Sequence, residues 1–204
     1  MSSYGQRYDD VIGAIDDANA RDPHSVEIDG RAIPAELLYG QRMSAVLAAI
    51  APHASELLRV AVRGQHIERW TSPRSSYPPG RAGYLKWRND LKERHARRLG
   101  EIMTAAGYGP QDAARVGALV RKERLRSDPE AQMLEDTVCI VFLTHYLVDF
   151  MGKTEEAKLA GILAKTWNKM SAQGRAHADR LDLPPSVLAL IKRGLEQIGG
   201  EMKF

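Results

Sequence analysis

Along almost the whole chain, apolar residues return at intervals of three and four, and no stretch alternates as a half-buried strand does. That period confines the fold to packed amphipathic helices. A first helix is expected over about Tyr4–Ala20, with Tyr8, Val11, Ile12, Ile15 and Ala18 inward. After Asp22-Pro23-His24, the segment Val26–Gly30 reads as a short extended piece turning at Asp29-Gly30. A second helix starts near Pro34, and a third opens at Pro52, a favoured first helical position, and runs to about Trp70. Thr71–Arg81 holds three prolines, three serines and a glycine and must be a loop. Further helices are expected over about Ala82–Ala106, from Pro110 to near Arg124, and from Ser127-Asp128-Pro129-Glu130 to about Phe150. Thr154-Glu155-Glu156 starts a seventh, and Pro184-Pro185-Ser186 introduces a last one that ends before Gly199-Gly200. The expected architecture is all-α: one compact helical domain over residues 1–204, built of about seven to eight helices.

The 204 residues suffice for one such core, and 44% apolar with 27% charged residues excludes disordered and fibrous classes. The longest apolar run, Val138–Leu143, is far short of the ~20 residues that span a bilayer. The first residues lack the basic start and apolar stretch of a signal peptide, and Cys139 is the only cysteine. A cytoplasmic protein is expected. No repeat and no glycine-rich phosphate loop is present.

Net charge is only +3, but it is unevenly spread. Residues 59–126 carry 16 Lys/Arg against 6 Asp/Glu, a net of +10, while both flanking segments are acidic. A block this basic either coats solvated helix faces or meets an anionic partner: a phosphorylated metabolite, a nucleotide or RNA. Within it, Arg69, Arg74, Arg81, Arg88 and Lys92 are interleaved with Trp70, Tyr77, Tyr84 and Trp87, and Ser75, Ser76 and Tyr77 add hydroxyls. The cations suit phosphate oxygens, and the aromatic rings either stack on a base or pack on their own helix.

Polar residues also stand where the helical period calls for apolar ones. Asp136 lies on the stripe of Cys139, Ile140 and Leu143, with Glu135 at its edge. A carboxylate there pairs with a cation, caps a neighbouring helix or ligates a metal. His66 extends the face of Leu58 and Val62, and His95 lies in line with Trp87, Leu91 and Leu99. Each histidine alone reads as a hydrogen-bonded core residue. Two histidines and a carboxylate on separate helices suit a divalent metal. His145 is expected to be half-buried in a different layer, and His24, His53 and His177 to lie in loops or on polar faces.

Gln65-His66-Ile67-Glu68-Arg69-Trp70, Pro73-Arg74-Ser75-Ser76-Tyr77-Pro78 and Gly83-Tyr84-Leu85-Lys86-Trp87-Arg88 resemble the family numbered 4202 among the domains of unknown function. Lys122-Glu123-Arg124-Leu125 and Leu134-Glu135-Asp136 fit the same family. A more distant similarity is to the HD-domain metal-dependent phosphohydrolases. In that comparison Gln41 takes the place of the first His, and Gln65-His66 stands where a His-Asp pair would be. His95 and Asp136 match a later His and the final Asp, and Glu123 stands in for another ligand. Lys169-Met170-Ser171 matches a fragment of the aminoacyl-tRNA synthetase signature, but no parallel α/β pattern accompanies it, so it carries no inference.

The resemblance implies an HD-like core and a metal-dependent phosphohydrolase acting on a nucleotide or another phosphorylated small molecule. His66, His95, Asp136 and Gln41 are the expected ligands of a divalent ion (Mn, Zn, Mg or Fe; iron would open redox or lyase chemistry). Glu135 and Glu123 are the expected general base or support. Arg69, Arg74, Ser75, Tyr77, Arg81, Trp87, Arg88, Lys92 and Lys122 are the expected substrate contacts. The alternative is a non-catalytic module that binds RNA or a nucleotide through residues 59–126.

Overall fold

The structure is a computed structural model and describes residues 5–152 and 154–197. The expected first and last residues of the chain's terminal helices, Tyr4 and the stop at Gly199-Gly200, lie outside the described residues.

Helical periodicity becomes α1 (Gln6–Asn19), which buries Val11, Ile15 and Ala18. Two short antiparallel strands follow, β1 (Ser25–Ile28) and β2 (Arg31–Pro34), with Val26 opposite Ile33. Asp29 and Gly30 both take positive φ, 50° and 75°, which is what a two-residue hairpin turn requires. Pro34 then flanks α2 (Ala35–Ile50), whose Gly40, Met43, Leu47 and Ile50 form the buried stripe.

The third helix differs from expectation at both ends. α3 runs over Glu56–Arg63, because Ser55 caps it by accepting the Leu58 N–H (3.1 Å). A side-chain cap that satisfies an otherwise orphaned amide outweighs the backbone preference of Pro52. At the other end the chain leaves the helix at Gly64 and passes through turns to two 3₁₀ segments, Arg69–Thr71 and Arg74–Ser76. Glu68 sits in the left-handed region at φ 52°, at a cost of about 1–2 kcal/mol for a residue with a Cβ. Two contacts hold it there: its N–H donates to Asn19 Oδ1 (3.0 Å), and Arg98 Nε donates to its carboxylate (3.2 Å).

α4 (Gly80–Ala105) is the longest element and packs against α5 (Pro110–Arg121), which also meets α3. Lys122 caps α5 in the left-handed conformation at φ 59°, so this helix stops short of Arg124. Asp128 accepts from Glu130 N–H (3.0 Å) and opens α6 (Pro129–His145). The expected single helix to Phe150 is broken at Tyr146 into α6 and α7 (Leu147–Met151). α8 (Glu156–Lys169), the unanticipated short α9 (Ala172–Ala178) and α10 (Pro185–Gln197) complete ten α-helices among the described residues.

The described residues gather into two compact units that divide between Leu134 and Glu135. Ile15, Met43, Leu47, Leu99, Met103 and Leu119 are fully buried in the first, and Ile140, Leu147, Leu163 and Ile191 in the second. Among the described residues no helix is long and apolar enough to cross a membrane.

Candidate functional site

The buried polar cluster of the first unit is assembled from the start of α2, the turns after α3 and the middle of α4. The first turn of α2 brings in Glu36, whose backbone N–H donates to Asp22 Oδ2 (3.0 Å). One turn on, Tyr39 donates its hydroxyl to Gln65 Oε1 (2.9 Å) and stacks its ring on His66, centroids 4.1 Å apart and 11° from parallel. His66 turns Nδ1 towards Glu36 Oε2 at 3.5 Å. The Gln65 carbonyl accepts from His95 Nδ1 (2.6 Å), and the His95 ring meets the His66 ring edge-on at 6.1 Å. Arg69 completes the group, with Nη1 3.9 Å from Glu36 Oε1 and its guanidinium over the Trp87 ring. Trp87 is itself fixed by donating Nε1–H to the Ser72 carbonyl (2.9 Å).

Burial and charge set the protonation of these groups. Burial pushes the Glu36 carboxyl up to about 7, against the pull of Arg69. Burial also drives His66 well below the usual imidazole range, and the charges of Arg69, Lys122 and Arg88 add to the effect. His95 is held down to about 4, again chiefly by burial and then by His66. The cluster therefore combines two neutral imidazoles with a carboxyl that gains and loses its proton near neutrality, in the positive field of three cations. Glu36 and His66 keep 14% and 23% of their side-chain surface exposed, while His66 Nδ1 itself is buried.

The expected residues are dispersed in instructive ways. His66, His95, Arg69 and Trp87 meet in this cluster, and Arg88 and Lys122 reach it by charge. Lys92 is half-buried on α4 and Ser75 exposed in its loop. Arg74 folds back on that loop and donates to the carbonyls of Tyr77 (3.0 Å), Pro78 (2.8 Å) and Gly80 (3.3 Å). Tyr77 lies under Lys86, and Arg81 is exposed at the start of α4. Gln41 is on the exposed side of α2, and the exposed Glu123 accepts from Arg121 (2.6 Å).

Asp136 belongs to the second unit. There its two oxygens accept from the Ser171 N–H (2.8 Å) and the Ser171 hydroxyl, and Ser171 in turn caps α9 through Gly174 N–H (3.1 Å). It thereby serves a neighbouring helix, one of the roles open to a buried carboxylate. The neighbouring Glu135 is buried beside Lys169 Nζ at 3.7 Å. His145, expected to be half-buried, is exposed at the end of α6 because the helix breaks there. Among the described residues no group of three or more His, Cys, Asp or Glu side chains stands as a metal ion would need. The residues present do not form the ligand set that the resemblance implies.

Residues 9–191 match the model of a family described as a domain of unknown function, DUF4202. The chain belongs to that family. Neither the curated proteins nor the solved structures gave a match.

For this family member two site residues came from outside the expected set. Glu36 prolongs the buried stripe of Gly40, Met43, Leu47 and Ile50 backwards by one turn, so it carries the same signal that singled out Asp136. Tyr39 has no comparable signal, since a half-buried tyrosine on a helix is ordinary.

Proposed function

We propose that the first unit houses a phosphohydrolase-type site for the phosphate ester of a small molecule. The observation that carries this reading is the approach of Glu36 to His66, a largely buried carboxyl 3.5 Å from a neutral imidazole, in the positive field of Arg69, Lys122 and Arg88. A phosphate dianion complements that field, and a guanidinium pairs with two of its oxygens. Arg69 is the cation nearest the acid, so it holds the phosphoryl group and offsets the charge that grows on it in the transition state. A carboxyl near 7 is matched to proton transfer at neutral pH. Glu36 in its neutral form gives its proton to the leaving ester oxygen.

The test is phosphate release from a panel of sugar phosphates and nucleoside monophosphates, whose leaving groups need an acid. Arg69→Ala is expected to raise KM roughly tenfold with a small change in kcat, and Glu36→Gln to lower kcat about 100-fold. A wild-type protein inert on every ester removes the reading.

A second reading, RNA binding, draws support from the exposed part of α4. Tyr84 is 42% exposed with Arg88 set over its ring, and Arg81 is one turn earlier. Under it, affinity for single-stranded RNA falls steeply with salt and survives Glu36→Gln unchanged.

A further inference from the structure

Two buried side-chain polar atoms among the described residues have no hydrogen-bond partner: His66 Nδ1, which faces Glu36, and His95 Nε2. The second is the more informative. His95 is 2% exposed, and its Nδ1 lies 2.6 Å from the carbonyl oxygen of Gln65. A carbonyl only accepts, so Nδ1 carries the proton and, in the neutral ring, Nε2 is a bare lone pair. An acceptor buried without a donor carries a free-energy cost. A ligand atom that supplies an O–H removes that cost. Phosphate oxygens cannot, because a dianion brings lone pairs against a lone pair. A water molecule can.

From this geometry we infer that His95 Nε2 is the general base that takes a proton from the water attacking the phosphate ester. The inference rests on the phosphate-ester reading above and adds to it the residue that activates the nucleophile. Glu36 borders His66 at Nδ1 and His95 borders it edge-on, so the imidazole of His66 spaces acid from base.

The step balances. The water gives one proton to Nε2 as its oxygen forms a new bond to phosphorus. The ester P–O bond breaks, its electron pair leaves on the ester oxygen, and that oxygen takes the Glu36 proton. The imidazolium of His95 then loses its proton to solvent and the Glu36 carboxylate regains one. The sum is ester plus water giving alcohol plus phosphate. Gln65 acts as a positioning residue. Its backbone oxygen fixes the tautomer of His95, and Tyr39 holds its side chain.

The experiment uses the full chain and p-nitrophenyl phosphate, whose good leaving group needs no acid and isolates activation of the water. His95→Ala is expected to lower kcat at least 100-fold with KM changed less than threefold. Imidazoles added to the variant are expected to restore the rate in proportion to their basicity. Unchanged turnover by the variant, or restoration that follows the size of the added ring and not its basicity, overturns the assignment. Imidazole nitrogen NMR of the wild-type protein supplies a measurement that needs no variant: Nε2 of His95 is expected without a proton between pH 6 and 8. A proton found on Nε2 overturns the assignment while leaving the ester reading intact. A wild-type protein that hydrolyses no ester removes both.

Discussion

Glu36 changes charge in the range where cells operate, and its surroundings decide the direction. Its carboxyl, ordinarily near 4.5, is held at about 7 by burial. Between those values the folded chain binds a proton that the unfolded chain has released. The stability contributed by Glu36 is therefore complete below about pH 4.5 and is lost as the pH rises through about 7. His95 has the opposite sign: its contribution is complete above about 6.5 and is lost as the pH falls towards about 4. Comparing Glu36→Gln with wild type isolates the carboxyl. Urea melts are expected to show the variant gaining on the order of 2 kcal/mol relative to wild type between pH 4.5 and 7.5. A constant gap over that range contradicts the burial of a titrating carboxyl. At this scale the sequence is partly legible. His66 and His95 stand out because each extends an apolar stripe, and Glu36 carries the same mark. What a stripe cannot show is which atom each polar group meets. Asp136 and Glu36 look alike in sequence, yet one caps a helix through Ser171 and the other faces an imidazole.

Among the helices, close backbone approach sets which positions tolerate change. A Cβ at Gly83 would stand 2.0 Å from the Pro78 carbonyl oxygen, so the first turn of α4 and the loop before it lock together only with glycine there. Gly83→Ala is expected to destabilise the protein by about 2–3 kcal/mol and to loosen the loop that Arg74 clamps. A Cβ at Gly100, in the same helix, would meet no neighbouring atom within 4 Å. Gly100→Ala is expected to stabilise by about 0.5–1 kcal/mol, the ordinary helix preference for alanine. Thermal melts of the two variants moving in the same direction would contradict this packing. The order of the longer helices follows from periodicity and proline placement, and α4 and α5 start close to where Ala82 and Pro110 suggest. The ends do not follow so directly. α3 starts at a cap supplied by Ser55, and α6 breaks at Tyr146 without a proline or glycine to announce it.

Across the whole molecule, the separation of charge is the feature most plainly written in the sequence. The net +10 of residues 59–126 supplies Arg69, Arg88 and Lys122 to the candidate site. Affinity for a phosphate ester is therefore expected to fall severalfold between 50 and 500 mM salt, as exposed charges are screened over about 10 Å or less. The division between Leu134 and Glu135 left no such trace. Its boundary falls within α6, where the helical period runs on without a linker composition to mark it. The central claim, that Glu36, His66 and Arg69 form a site for hydrolysing a phosphate ester, is tested most directly by phosphate release from the ester panel in chelator-containing buffer. Wild type, Glu36→Gln and Arg69→Ala are compared side by side. The account predicts turnover by wild type, a loss of about 100-fold in kcat for Glu36→Gln and a rise of about tenfold in KM for Arg69→Ala. No turnover by wild type, or equal turnover by all three, would contradict it.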